Sequence, residues 1–238
     1  MKARSPRDIR SQLDFWQAFS GALLAIFVCV HLILEGSVVI SPKITDWIGV
    51  MMEVTYVAQI AAPIILILII FHFWIAARKM PFRAGEFEIF VNHSKALKDL
   101  DTWLWLVQII TAVIILFCSF FHVYTVMTNL PITVKTGALR LHSGWVLFYV
   151  AFLPATILHT GIGIYRLGCK FGAISKAGRV FWRKVIWAGM LCYFILGCCA
   201  LTRVWIIGDH LTVEEISSSH SDAPVIWNNI NDEEKTKE

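Results

Sequence analysis

Charge is what this sequence has least of. Of 238 residues only 16% are Asp, Glu, Lys or Arg, 57% are hydrophobic, and the mean hydropathy is +0.66. Those values lie outside the range of an ordinary soluble domain. The six cysteines (29, 118, 169, 192, 198 and 199) include no CxxC pair and no metal-type spacing. All fall within apolar runs or at the end of one, where a thiol serves as a small packing side chain. There is no Gly-rich dinucleotide fingerprint, no internal repeat and no low-complexity stretch, and Pro63 and Pro154 are the only prolines well inside apolar runs. Thiolate metal clusters, nucleotide chemistry and repeat architectures are thereby excluded.

Long apolar runs are what remain. Five occur, at about 17–40, 54–77, 103–127, 144–167 and 184–207, each close to the roughly 20 residues that carry a helix across about 30 Å of hydrocarbon. They predict an all-α integral membrane bundle of five spanning helices over 17–207. An amino-terminal arm (1–16) precedes it and a polar, Ser-rich tail (208–238) follows. The first run is long, lacks a small-residue cleavage site and carries Gln17 and His31, so it does not read as a cleaved signal.

Lysine and arginine set the expected orientation. The arm has Lys2, Arg4, Arg7 and Arg10, the segment from Arg78 to Lys98 has five such residues, and that from Arg166 to Lys184 has six. The opposite side holds only Lys43, Lys135, Arg140, Arg203, Lys235 and Lys237. This asymmetry predicts a cytoplasmic amino terminus and an outer carboxyl terminus, with the acidic tail residues Glu214, Glu215, Asp222 and Asp232 to Glu234 outside. The net charge of +4 is then a topology signal, and it implies lipid, not nucleic acid, as the surrounding partner.

Ionisable side chains are costly in a bilayer and point to function. His31, His72, His122 and His159 occur one in each of the first four runs, and the fifth has none. Successive helices alternate in direction. At 1.5 Å per residue, His31 and His122 fall roughly 5 and 10 Å to the outer side of the mid-plane, and His72 and His159 roughly 10 and 5 Å to the inner side. Two pairs at two depths result. A pair on facing helices can grip an octahedral metal from opposite sides, and haem is the planar group that fits such a grip between bundle helices. Zinc or copper lacks a third ligand at suitable spacing. Histidines that merely hydrogen-bond to neighbouring helices, or that form a proton or ion relay, are the competing readings. Small residues near the histidines (Gly21, Cys118, Ser119, Gly161, Gly163) leave room for a flat ligand. His93, His142, His210 and His220 fall in loops, at a run boundary or in the tail, and are expected to play no ligand role.

The stretches "LDFWQAFSGALLAIFVCVHL", "FHFWIAARKMP", "DTWLWLVQIITAVIILFCSFFHVYTVMT" and "LHTGIGIYRLGCKFG" together resemble the di-haem cytochrome b membrane subunit of succinate:quinone oxidoreductases, the menaquinol:fumarate reductase and succinate dehydrogenase family. The likeness spans about residues 13 to 205. It implies a multi-pass anchor in a bacterial inner membrane, holding two b haems and docking a flavoprotein subunit and an iron–sulfur subunit on the cytoplasmic face, with a possible dimer of the whole complex. FAD and the iron–sulfur clusters would lie in those partners, and menaquinone would be the substrate.

By the same resemblance, His31 and His122 ligate the outer haem iron, and His72 and His159 the inner one. Gln17, Trp105 and Lys170 would contact propionates of the inner haem, and Arg140 those of the outer haem. Glu53, in "DWIGVMMEVTY", matches the carboxylate implicated in menaquinol oxidation, with Glu35 as runner-up. In some members a glutamate linked to transmembrane proton movement stands two residues before the fourth histidine. Here Ile157 stands there, and an isoleucine cannot relay a proton. The anchor of a formate dehydrogenase or hydrogenase, or a haem-free transporter, are the alternative assignments.

Overall fold

The computed structural model describes residues 6–83 and 85–211. Among the described residues the regular structure is entirely helical. Five helices are long and apolar enough to cross a membrane: α1 (Pro6–Gly36), α3 (Val57–Ala77), α5 (Leu100–Thr128), α7 (Val146–Lys170) and α8 (Arg179–Asp209). Three short helices connect them: α2 (Pro42–Val54), α4 (Glu86–Leu97) and α6 (Val134–Arg140). Most of the tail expected from residue 208, including its acidic residues and His220, lies outside the described residues, as do Lys2 and Arg4.

Helix ends do not stop at the edge of hydrophobicity. α1 begins at Pro6, well inside the polar arm, because an i to i−4 ladder continues through polar residues as readily as apolar ones and Pro suits the first turn. α5 begins at Leu100, where the Asp99 carboxylate accepts the Thr102 backbone N–H at 3.1 Å. α6 carries a capping box between Thr133 and Thr136. Between α6 and α7 the helical path breaks at Ser143 and Gly144, and the φ of +96° at Gly144 is one that side chains other than glycine's resist.

The four histidine-bearing helices form the inner ring of the bundle. α1 packs on α3, α3 on α5, α5 on α7, and α7 closes on α1, while α8 lies outside in the furrow between α1 and α7. α8 approaches α7 closely because each contributes a glycine to the contact. A Cβ on Gly161 would collide with the Met190 thioether, and one on Gly197 would stand 2.7 Å from a Leu153 methyl. Gly161 therefore serves helix contact and leaves no room for a flat ligand, contrary to the expectation from its place after His159. The outward faces stay apolar, with Ile26, Ile67 and Leu147 exposed by 63%, 66% and 76%, as a lipid-facing surface requires.

Candidate cofactor cavity

Inside the ring runs a cavity of about 790 Å³, walled by α1, α3, α5 and α7 and lined by all four histidines. Gln17, Trp105 and Lys170 line it at the end where α1 begins, and Arg140 lines it at the opposite end. These are four residues far apart in sequence that the fold brings to one cavity. Lys79 and Arg166, two cations that spacing did not single out, join the first group, and Glu35, the runner-up carboxylate, joins the second.

His31 and His122 face each other with ring centroids 6.1 Å apart. Two imidazoles bonded at about 2 Å to opposite sides of one octahedral metal have ring centres about 6 Å apart. Among the described residues no three His, Cys, Asp or Glu side chains converge.

The second nitrogen of each ring decides which one is free to bind. His72 Nδ1 stands 2.9 Å from Ser20 Oγ, and that hydroxyl donates its single proton to the Trp16 carbonyl at 2.8 Å. With the hydroxyl turned to Trp16, its oxygen accepts from His72, which places the hydrogen on Nδ1 and the lone pair on Nε2. His159 repeats the device. Its Nδ1 lies 3.1 Å from the Gln108 carbonyl and 3.2 Å from Thr111 Oγ1, whose own proton goes to the Val107 carbonyl at 2.8 Å. His122 Nδ1 is 3.4 Å from the Tyr149 hydroxyl. His31 has a stacked neighbour instead, Phe27 at 5.4 Å and 11°. Such outer partners orient a metal-binding imidazole and raise its basicity.

Close backbone approach completes the inner site. A Cβ on Gly21 would stand 2.9 Å from His72 Cε1, so only glycine leaves that ring its place. At the same end, Asp14 pairs with Arg78 and with Lys79, the latter at 2.7 Å, while Lys170 Nζ donates to the Asp14 carbonyl at 2.9 Å. Three cations thus gather beside the cavity mouth around Asp14, two on its carboxylate and one on its carbonyl, a surplus suited to anionic groups such as propionates.

Glu53 occupies a different setting. Its side chain is half-buried and does not line the cavity, although Gly49 and Met52 on the same helix do. Its Oε2 accepts the Ile132 N–H at 3.0 Å, and one face of α2 holds the loop before α6 through a second carboxylate, Asp46, which accepts the Val134 N–H at 2.7 Å. His142 is tied to Asp209 at 2.9 Å and stacked on Trp205, away from the cavity, and His93 is exposed on α4. The partners Ser20, Thr111 and Tyr149 carry no signal in sequence spacing, because each reaches its histidine from another helix or from a distant point of the chain.

Comparison with known proteins agrees with this architecture. The model of the succinate dehydrogenase/fumarate reductase transmembrane subunit family matches residues 89–198. The fumarate reductase cytochrome b subunit of Helicobacter pylori (strain ATCC 700392 / 26695) is 31% identical over 203 residues, covering 80% of this chain and 79% of that protein. The fumarate reductase cytochrome b subunit of Wolinella succinogenes is 28% identical over 182 residues, covering 72% of this chain and 69% of its own length. The chain is a multi-pass bacterial membrane protein that belongs to the succinate dehydrogenase/fumarate reductase transmembrane subunit family.

Proposed function

We propose that this chain is the membrane anchor and electron-transfer subunit of a succinate:quinone oxidoreductase, with two b haems between an iron–sulfur subunit and menaquinone. The observation that carries the reading is the pair of opposed imidazoles, His31 and His122, at metal-clamping distance across a cavity whose other two histidines present Nε2 as the free nitrogen. His31 and His122 hold the outer haem, and His72 and His159 the inner one. Bound there, the haems supply one-electron carriers. Gln17, Trp105 and Lys170 receive the inner propionates and Arg140 the outer ones, in keeping with their places on the cavity wall.

The flavoprotein and iron–sulfur subunits dock at the end bearing the amino terminus, α4 and the loop between α7 and α8, which the Lys and Arg distribution puts in the cytoplasm. The dicarboxylate chemistry belongs to the flavoprotein. Quinol oxidation releases two protons with two electrons, and Glu53, at the outer rim, takes up protons there. Glu35, on the cavity wall four residues after His31, is the second candidate.

The test is an oxidised and reduced absorption spectrum of the purified complex, with haem content per chain. Two low-spin haems per chain are expected, and one or none overturns the reading. For the proton-handling group, Glu53→Gln is expected to abolish quinone turnover while both haems stay bound and succinate oxidation by an artificial dye is unchanged. If Glu53→Gln turns over as the parent does and Glu35→Gln does not, the role belongs to Glu35.

A further inference from the structure

Lys79 stands seven residues after His72, and Arg166 seven after His159. On a helix that interval is about 700°, roughly 20° short of two full turns, with a rise of about 10 Å. α7 runs unbroken from Val146 to Lys170, so Arg166 lies on the face that carries His159, two turns nearer the end of the helix. Both line the cavity, as does Gly163 between them on that face. A Cβ on Gly163 would meet only the Gln108 amide at 3.4 Å, so no side chain bars the wall from His159 to Arg166. The interval suits a macrocycle whose metal sits at the histidine and whose carboxylate arms reach the turns beyond it.

The cations at this end differ in what they have already met. Lys79, just past the end of α3, pairs with the Asp14 carboxylate at 2.7 Å, and Lys170 Nζ donates to the Asp14 carbonyl at 2.9 Å. Arg166 makes no hydrogen bond or ion pair among the described residues. Asp101, in the first turn of the adjacent α5, is taken by two arginines of α8, Arg179 at 3.5 Å and Arg183 at 3.7 Å. An uncompensated guanidinium on the wall of a membrane cavity is costly, and an anionic group on the cavity's occupant removes that cost.

We propose that Arg166 is the counter-ion of one inner-haem propionate and raises the potential of the inner haem but not of the outer one. The inference rests on the reading of the cavity as a two-haem site. A guanidinium presents a planar fork that matches a carboxylate bidentately, so it fixes the direction of the propionate as well as its charge. Reduction adds one negative charge at the iron, and a fixed cation about 10 Å along α7 from the axial histidine favours that state.

The experiment is a potentiometric titration of the intact purified complex with optical detection, the inner haem being identified as the one absent from His72→Ala. Two haems per chain in the parent uphold the underlying reading, and fewer than two end both. Given two, Arg166→Gln is expected to lower the inner midpoint by about 60 mV, about tenfold in the one-electron equilibrium, with the outer midpoint moved less than a third as far. Arg166→Lys, which keeps the charge without the fork, is expected to fall less than half as far as Arg166→Gln. An unchanged inner midpoint in Arg166→Gln overturns the inference and leaves the two-haem reading standing. So does an equal shift of both haems, or a fall in Arg166→Lys as large as in Arg166→Gln. If Arg166→Gln loses the inner haem outright, Arg166→Lys decides. An inner haem regained there near the parental midpoint upholds the pairing, and its loss from both variants assigns Arg166 to helix packing and overturns it.

Discussion

Ser20 Oγ lies 2.9 Å from Nδ1 of His72 across the interface of α1 and α3, and 2.8 Å from the Trp16 carbonyl. A hydroxyl turned to that carbonyl has only acceptor capacity left for the ring, which favours the tautomer with its hydrogen on Nδ1 and its lone pair on Nε2. Removing the acceptor makes the imidazole a weaker base and a weaker donor to iron. Ser20→Ala is therefore expected to retain both haems but to raise the midpoint potential of the inner one by about 30–60 mV, up to roughly tenfold in its one-electron equilibrium. The outer haem should not shift. Potentiometric titration with optical detection separates the two.

Axial ligation itself predicts a split outcome. If His31/His122 and His72/His159 hold separate haems as proposed, His72→Ala should lose the inner haem and leave the outer one spectroscopically intact, with haem content per chain halved. Retention of both haems would refute the pairing of His72 with His159.

Gly21 offers a steric version of the same test. A methyl there would sit 2.9 Å from His72 Cε1, closer than carbon atoms tolerate, and α1 cannot recede without unpacking from α3 and α8. Gly21→Ala should lower inner-haem occupancy while the outer haem's spectrum is unchanged, and Gly21→Val should do so more completely. Haem extraction against protein mass measures it. Gly163→Ala, whose Cβ would meet only the Gln108 amide at 3.4 Å, is expected to have a much smaller effect.

At the far end, α2 approaches the loop before α6 so closely that a Cβ on Gly49 would run into the Ile132 carbonyl. Gly49→Ala should push the two apart, weakening the bonds from Glu53 to Ile132 and from Asp46 to Val134. Overpacking of this kind costs about 1–3 kcal/mol. A lower unfolding temperature is expected, together with impaired quinone turnover and normal dye-linked activity.

Orientation can be read directly. Asn92 is exposed on α4 and Lys43 lies on α2, at opposite ends of the bundle. In a cysteine-depleted background, Asn92→Cys should react with an impermeant maleimide only in inverted vesicles, and Lys43→Cys in intact spheroplasts. The reverse pattern would invert the topology.

The five spans were legible in the sequence, and the expectation of two histidine levels was drawn from it, for one reason. Hydropathy is a local property, and the rise of a helix converts residue number into depth without reference to any neighbour. The placing of Gln17, Trp105, Lys170 and Arg140 on the cavity wall could be anticipated only through resemblance, since spacing alone assigns them to no particular face. Rotation of each helix about its axis, by contrast, depends on contacts with the others. Spans that are apolar all round carry little moment to orient them. Only the assembled ring decided that Gly161 faces Met190 and not the cavity, that Ser20 and Thr111 reach the histidines' Nδ1 atoms, and that the Glu53 carboxylate rests on the Ile132 amide while Glu35 lines the wall. The cluster of Asp101 with Arg179 and Arg183 is of the same kind. Its members are separated by a whole span and its return, so no pattern along the chain brings them together, and only the packing of α8 beside α5 and α7 does.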